Sequence, residues 1–204
     1  QYHVIHRRMS EKDQISGSVA ESCAPGTLKK TIVLVGMMGV GKTAVGRALA
    51  ARLDVPFLDS DHEIEAAANM SIPEIFARDG EPFFREKEYQ VICRLLKEEC
   101  GVLSTGGGAF LAPRNRQVIS EAGVSVCLQA DLDVLWKRVK GRDTRPLLRS
   151  GNPYQTLTDL YNARVPVYAE ADLLVGSDGQ VSIEAMVDRV LEALSARPDV
   201  LEKT

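Results

Sequence analysis

The sequence predicts an α/β protein in three layers, a five-stranded parallel sheet flanked by helices, with a mobile lid. Three observations carry that prediction. Short apolar runs alternate with helix-length segments along most of the chain, the pattern of a parallel sheet with crossover helices. Gly36-Met37-Met38-Gly39-Val40-Gly41-Lys42-Thr43 fits G-x-x-x-x-G-K-[ST] and stands between a strand and a helix. The chemistry-bearing residues fall where the predicted strands end, the edge at which such folds bind ligands.

Taken in order, residues 1–28 mix Ser, Gly and charges without periodicity and are expected to form a flexible extension. The domain is expected over 29–196. Thr31-Ile32-Val33-Leu34-Val35 reads as a buried strand and 43–53 as the helix after the glycine loop. Val55 to Leu58 is a short strand, followed by a helix over about 62–69. Ser71 is placed to cap a short helix over 73–78 with Pro73 in its first turn. A longer helix runs over about 82–99. Residues 101–105 form a strand ending in Gly106-Gly107-Gly108, and Pro113 opens a helix that stops near Gly123. Residues 124–128 form the fourth strand, followed by a helix over 131–140, a basic loop, and a helix over 153–169. Residues 172–175 are the last strand, 181–195 the last helix, and 197–204 a tail. The substrate region is expected at about 59–90 and the lid at about 138–152.

Composition excludes several classes. The chain has 204 residues, 45% of them hydrophobic, enough for one globular domain. A net charge of −3 offers no bulk attraction for nucleic acid. No apolar run is long enough for a membrane span, and no signal-peptide core is visible near residue 1. The four cysteines form no C-x-x-C pair and lie at no metal-site spacing with histidine, which suits a reducing cytoplasm. A cytoplasmic monomer without nucleic-acid or membrane partners is expected.

The glycine loop points to a nucleoside triphosphate. Glycines let amide N–H groups crowd around an anion, and the helix start adds unpaired donors and partial positive charge. Gly39, Val40, Gly41, Lys42, Thr43 and Ala44 are the candidate ATP-binding residues. Lys42 can reach the β- and γ-phosphates, and the Thr43 hydroxyl can ligate Mg²⁺. A carboxylate to support the metal must come from Asp59-Ser60-Asp61, since 101–105 offers none. Helix capping is the competing explanation: Ser60-Asp61-His62-Glu63 fits a capping box and accounts for Ser60 and Glu63, but not for Asp59.

Arg85 lies in a first helical turn, where the dipole disfavours a cation. That placement suits an anionic ligand, or a pair with Glu81 or Glu88. Gly106, Gly107 and Gly108 let a ligand approach the backbone, or simply make a turn. Lys137 to Arg149 holds six basic residues against one acid, the charge of a lid closing over phosphates or of a solvated helix end. Within it, Arg145 is placed to neutralise a transferring phosphoryl group. Arg164, two residues before Pro166, is uninformative by itself.

Together these motifs resemble shikimate kinase, a P-loop kinase fold of the nucleoside-monophosphate-kinase-like kind, from about Lys30 to Leu194. The resemblance rests on the glycine loop, Asp59-Ser60-Asp61, Phe84-Arg85-x-x-Glu88, Ser104-Thr105-Gly106-Gly107-Gly108, Arg145-Pro146-Leu147-Leu148 and Arg164-x-Pro166-x-Tyr168. It implies Mg²⁺ with ATP as co-substrate, and transfer of the γ-phosphoryl group to the 3-hydroxyl of shikimate. It further implies Asp61, Lys42 and Arg145 as catalytic residues and Thr43 and Asp59 at the metal. Asp61, Arg85, Arg164 and the three glycines would hold shikimate, with the two arginines on its carboxylate. Arg138 would pack on adenine. A gluconate-kinase-like enzyme is the alternative of similar fold, but its Asp-x-x-His-Pro pattern is missing. A nucleotide-dependent switch is the non-enzyme alternative, and the chain has no N-K-x-D motif for guanine.

Overall fold

A computed structural model of the chain describes residues 28–141 and 151–202. Its sheet has five strands in the order β2-β3-β1-β4-β5, all parallel. The strands are β1 (Thr31–Val35), β2 (Phe57–Asp59), β3 (Val102–Ser104), β4 (Gly123–Ala130) and β5 (Leu173–Ser177). The flanking helices are α1 (Lys42–Leu53), α2 (Ser60–Ala68), α3 (Ile72–Glu98), α4 (Pro113–Ala122), α5 (Leu132–Val139), α6 (Pro153–Tyr168) and α7 (Ile183–Leu194). β1 is central and wholly buried, which is why its five residues read as a continuous apolar run rather than an alternating one. Cutting Leu34 or Ile32 in this strand to Ala would cost about 2–5 kcal/mol, because a fully enclosed site cannot collapse around the cavity.

The segment over 72–98 contains both helices expected there. Gly80 interrupts it at φ 82°, ψ 171°, just ahead of Pro82, so two helical stretches meet at a kink. Ser71 caps the first as expected, accepting from the Glu74 amide while the Glu74 carboxylate accepts from the Ser71 amide. A short 3₁₀ turn, Ala109–Leu111, follows the three glycines and had no counterpart in the sequence reading.

Two expectations about the ends need correction. Leu28, assigned to the extension, is buried in the core, and its neighbour Lys29 donates its amide to the Val200 carbonyl. The expected tail packs back as well: Val200 is fully buried and Leu201 bridges to Leu28. Two apolar side chains made this segment part of the domain. Residues 1–27 and 203–204 lie outside the described residues, as do positions 142–150 of the expected lid, Arg145 among them.

Register sets where the site forms. Asp59 lies level with Ser104, and Ser104 with Leu34. On the far side Val35 pairs with Cys127, and Ala130 with Ser177. The carboxyl ends of β1, β2, β3 and β5 therefore open onto one edge.

Candidate active site

At the end of β1 the chain turns through Gly36, Gly39 and Gly41, at φ 139°, 80° and 104°, values that L side chains resist. Gly41 is the N-cap of α1 and supplies no side-chain acceptor to the helix. The first-turn amides of α1 thus face the cavity with the dipole behind them, a built anion site. Lys42 Nζ folds over the loop and donates to the carbonyls of Gly36 at 2.7 Å and Met37 at 3.0 Å. Arg138, from the last turn of α5, donates to the carbonyls of Gly39 at 3.2 Å and Val40 at 3.1 Å. Both cations thus stand at the loop before any phosphate arrives.

A cavity of about 670 Å³ lies above this edge. It brings together Gly39 to Ala44, Asp59, Asp61, Thr105, Gly106, Gly107 and Arg138. Sequence reasoning missed its fourth wall, Ser177, Val181, Ile183 and Met186, contributed by the end of β5 and the start of α7. Ile183 is 48% exposed, an apolar side chain left open at a ligand edge. Applying the strand-end rule to the last strand as well as the first three would have found this wall.

The carboxylate pair is arranged differently from the competing capping-box explanation. Asp59, not Ser60, is the N-cap of α2, and its side chain accepts from the amides of Asp61 at 2.9 Å and His62 at 3.2 Å. Ser60 is inside the helix and fully buried, and its hydroxyl has no hydrogen-bond partner among the described residues. Glu63 turns outward to Arg94 at 3.0 Å. β2 runs to Asp59, so the helix starts one residue earlier than the box requires. Asp61, in the first turn, is thereby aimed into the cavity. Desolvation lifts its carboxyl from 3.8 to about 6, with the charges of Asp59 and Glu88 adding to the rise and Lys42 opposing it. A carboxylate poised this close to neutrality is suited to accept a proton.

The glycine turn is shaped by its neighbours. A Cβ at Gly106 would stand 2.7 Å from Asp61 Oδ1, and one at Gly108 would stand 2.5 Å from Arg85 Nη2. A Cβ at Gly107 would come 3.2 Å from Arg164 Nη1. Three side chains from α2, α3 and α6 thus converge on three consecutive glycines. Asn115 and Arg116 of α4 hold the following turn by donating to the carbonyls of Ala109, Phe110 and Leu111.

Arg85 does form the ion pairs weighed from sequence. It donates to Glu88 at 2.9 Å and to Glu81 at 3.4 Å. Glu88 is almost wholly buried, and desolvation pushes its carboxyl up while Arg85 pulls it down. The pair fixes the guanidinium next to Gly108 rather than withdrawing it. Arg114 of α4, unforeseen in the sequence, anchors the same turn by donating to the Arg85 carbonyl at 3.2 Å and to Glu86 at 2.6 Å. Arg85, Gly108 and Arg164 do not line the large cavity itself; they adjoin it through the glycine turn.

Gly108→Ala tests that contact. The added methyl meets side-chain atoms of Arg85 and no backbone, so the fold should survive with the guanidinium shifted while still paired with Glu88. The apparent KM for the acceptor is expected to rise about tenfold with the melting temperature and the ATP KM nearly unchanged. A fall in melting temperature with both KM values raised together would show that the turn tolerates no side chain for reasons of folding.

An anion cradle of helix amides sharing a cavity with a carboxylate raised toward neutrality is an arrangement suited to moving a phosphoryl group onto a hydroxyl. The chain has the fold and the site of a P-loop small-molecule kinase. Comparison with known proteins narrows this. The family model for shikimate kinase matches residues 38–195. The shikimate kinase of Ruegeria pomeroyi is 70% identical over 175 residues, 86% of this chain and 90% of that protein. That of Cereibacter sphaeroides is 67% identical over 175 residues, 86% of this chain and 87% of that protein. The solved structure of the shikimate kinase from Acinetobacter baumannii in complex with shikimate superposes with a TM-score of 0.77 at 39% identity, covering 82% of this chain and 93% of that one. The chain belongs to the shikimate kinase family. A gluconokinase from Sinorhizobium meliloti, at 18% identity and a TM-score of 0.54 over 82% of this chain and 92% of that one, shares the fold alone.

Proposed function

We propose that this enzyme transfers the γ-phosphoryl group of Mg-ATP to the 3-hydroxyl of shikimate, giving shikimate 3-phosphate and ADP on the route to chorismate and the aromatic amino acids. Beside the family membership, the single observation that carries the reading is Asp61. Its elevated carboxyl lies in one cavity with the phosphate loop and touches the glycine turn.

The proposed roles combine position with family membership. Amides of Gly39 to Ala44 and Lys42 bind the phosphates, and Lys42 leaves the Gly36 and Met37 carbonyls to do so. Asp61 accepts the hydroxyl proton as the oxygen attacks. Arg85, steadied by Glu88, and Arg164 take the carboxylate, for which the planar guanidinium is the fitting partner. Gly106 to Gly108 let the ring approach the backbone. Arg138, with Val181, Ile183 and Met186 on the same cavity, supplies a cationic and apolar surface for the base. Arg145 is assigned to the transferring phosphoryl group on its motif alone.

The residues present fit Mg²⁺. Thr43 and Asp59 line the same cavity, one hydroxyl and one carboxylate, the sparse protein set of an ion that keeps its waters and binds phosphates. Held there, it would neutralise the negative charge of the phosphates. The metal and nucleotide elements, the cytoplasmic location, the monomeric state and the division into a substrate region and a lid are parts of the same proposal. No described helix is long and apolar enough to cross a membrane.

A coupled ADP-release assay with Mg-ATP and shikimate, gluconate or no acceptor tests the reading. Release is expected with shikimate alone. Release with gluconate alone would keep the kinase fold and overturn shikimate as the acceptor.

A further inference from the structure

Tyr168 ends α6 with its ring buried, 3% exposed, and the site assignments above leave it without a role. Its phenol donates a hydrogen bond to the Gly107 carbonyl, 61 residues away in sequence. Arg164, one helical turn earlier, reaches the same glycine, with its Nη1 3.2 Å from where a Gly107 Cβ would stand, and its guanidinium acts on the phenol. The charge of Arg85 also reaches it. The ring itself is seated against Phe110, with centroids 6.5 Å apart and planes 23° from parallel, and Arg116 lies over the far partner at 5.9 Å. The phenol and the arginine of α6 therefore converge on the middle glycine from one helix.

We propose that Tyr168 is a positioning residue: its phenol ties the Gly107 carbonyl to the Arg164 guanidinium, so that α6 and the glycine turn present the acceptor site as one unit. The proposal rests on the assignment of Arg164 and the glycine turn to shikimate. Arg164 alone has long-chain freedom, and a cation that must wait in one rotamer loses entropy for every bond it makes. Interaction with a fixed phenol holds it in place before the ligand arrives. The carbonyl of Gly107 is fixed by the same group, which turns the backbone of the adjoining glycines toward the cavity. Burial raises the phenol most, Arg164 opposes it, and Cys127 and then Arg85 act more weakly, the first raising and the second lowering it; the net effect pushes it to about 12, so it remains a protonated donor at neutral pH. The donor thus does not switch with pH in the range where Asp61 titrates.

Tyr168→Phe tests this with little risk to the fold, since the ring and its stacking partner are kept. The expected result is an increase of about tenfold in the shikimate KM, with kcat and the ATP KM each changed less than about threefold. Arg164→Ala and the double variant accompany it. Because Tyr168 acts partly through Arg164, the double variant should raise the shikimate KM by less than the product of the single effects. An unchanged shikimate KM in Tyr168→Phe, beside a raised one in Arg164→Ala, overturns the role of Tyr168 alone. An unchanged shikimate KM in Arg164→Ala overturns the assignment of Arg164, and the proposal falls with it. Equal rises in both KM values with a lowered melting temperature in Tyr168→Phe also overturn it, because a structural hydrogen bond would act on both ligands. Strictly multiplicative effects in the double variant would show that the two residues act independently.

Discussion

Asp61→Asn is expected to lower kcat about a hundred- to ten-thousandfold while leaving the ATP KM close to that of the parent enzyme. The substitution keeps the size of the side chain and removes its capacity to take a proton. The phosphate loop, which Asp61 lines but does not build, stays intact. Its second effect has the opposite sign. Folding raises this carboxyl from 3.8 to about 6, so at neutral pH the folded state holds an ion that burial disfavours. A raised pKa contributes stability that is fully present below about 4 and lost as pH rises through about 6. Asn carries no such charge. The variant should therefore be more stable than the parent above about pH 6, by about 1–3 kcal/mol, and the difference should vanish toward pH 4. Parallel thermal melts across pH, with rates measured beside them, give both halves. The parent kcat/KM should fall as pH drops through about 6, and the residual rate of the variant should lack that limb. A variant that turns over normally removes Asp61 from proton transfer. A variant that is inactive and also less stable at pH 7 would make it a structural residue.

Arg85→Ala is the second large effect. Removing one member of a fixed, partly desolvated charge pair costs several kcal/mol in binding, so the shikimate KM should rise about a hundredfold with little change for ATP. The substitution also strands Glu88, which is nearly inaccessible and relies on Arg85 at 2.9 Å. Loss of stability is therefore expected alongside loss of binding, and the two must be separated. Arg85→Ala with Glu88→Gln does so, because a neutral amide has no charge to leave unpaired. Melting temperature should recover in the double variant, while the shikimate KM should remain high. Recovery of both would mean that Arg85 serves only to neutralise Glu88, and that another cation holds the carboxylate.

The contrast between these two residues shows why parts of the site were legible and others were not. The phosphate loop was readable because strand, glycines, Lys42 and helix adjoin one another, and the amides that make the anion cradle belong to neighbouring residues. Ser71 and Glu74 were readable for the same reason, since a capping box closes within one turn. The neighbouring Ser60 box, the competing reading, does not form, because the same letters fit two helix starts. Extending β2 to Asp59 in register with Ser104 made Asp59 the cap and buried Ser60. Of the two readings weighed for Arg85, the ion pair forms, and the pair with Glu88 holds the guanidinium beside Gly108. Arg114, with no motif around it, could not be found without knowing that α4 lies along α3.

Read along the chain, periodicity, glycine chemistry and the strand-end rule suffice to specify an alternating α/β protein, its phosphate loop and the carboxylates that follow β2. Those features depend on residues a few positions apart, whose geometry the backbone itself constrains. Strand order and register decided the rest. They set Asp61 against Gly106, Arg85 against Gly108, Arg138 on the loop carbonyls, and Tyr168 under Gly107. They also brought the end of β5 and the start of α7 to the cavity and folded Val200 back into the core. Each of these contacts joins residues far apart in sequence, and its partner is chosen by how buried faces pack across the whole sheet, which no local pattern encodes.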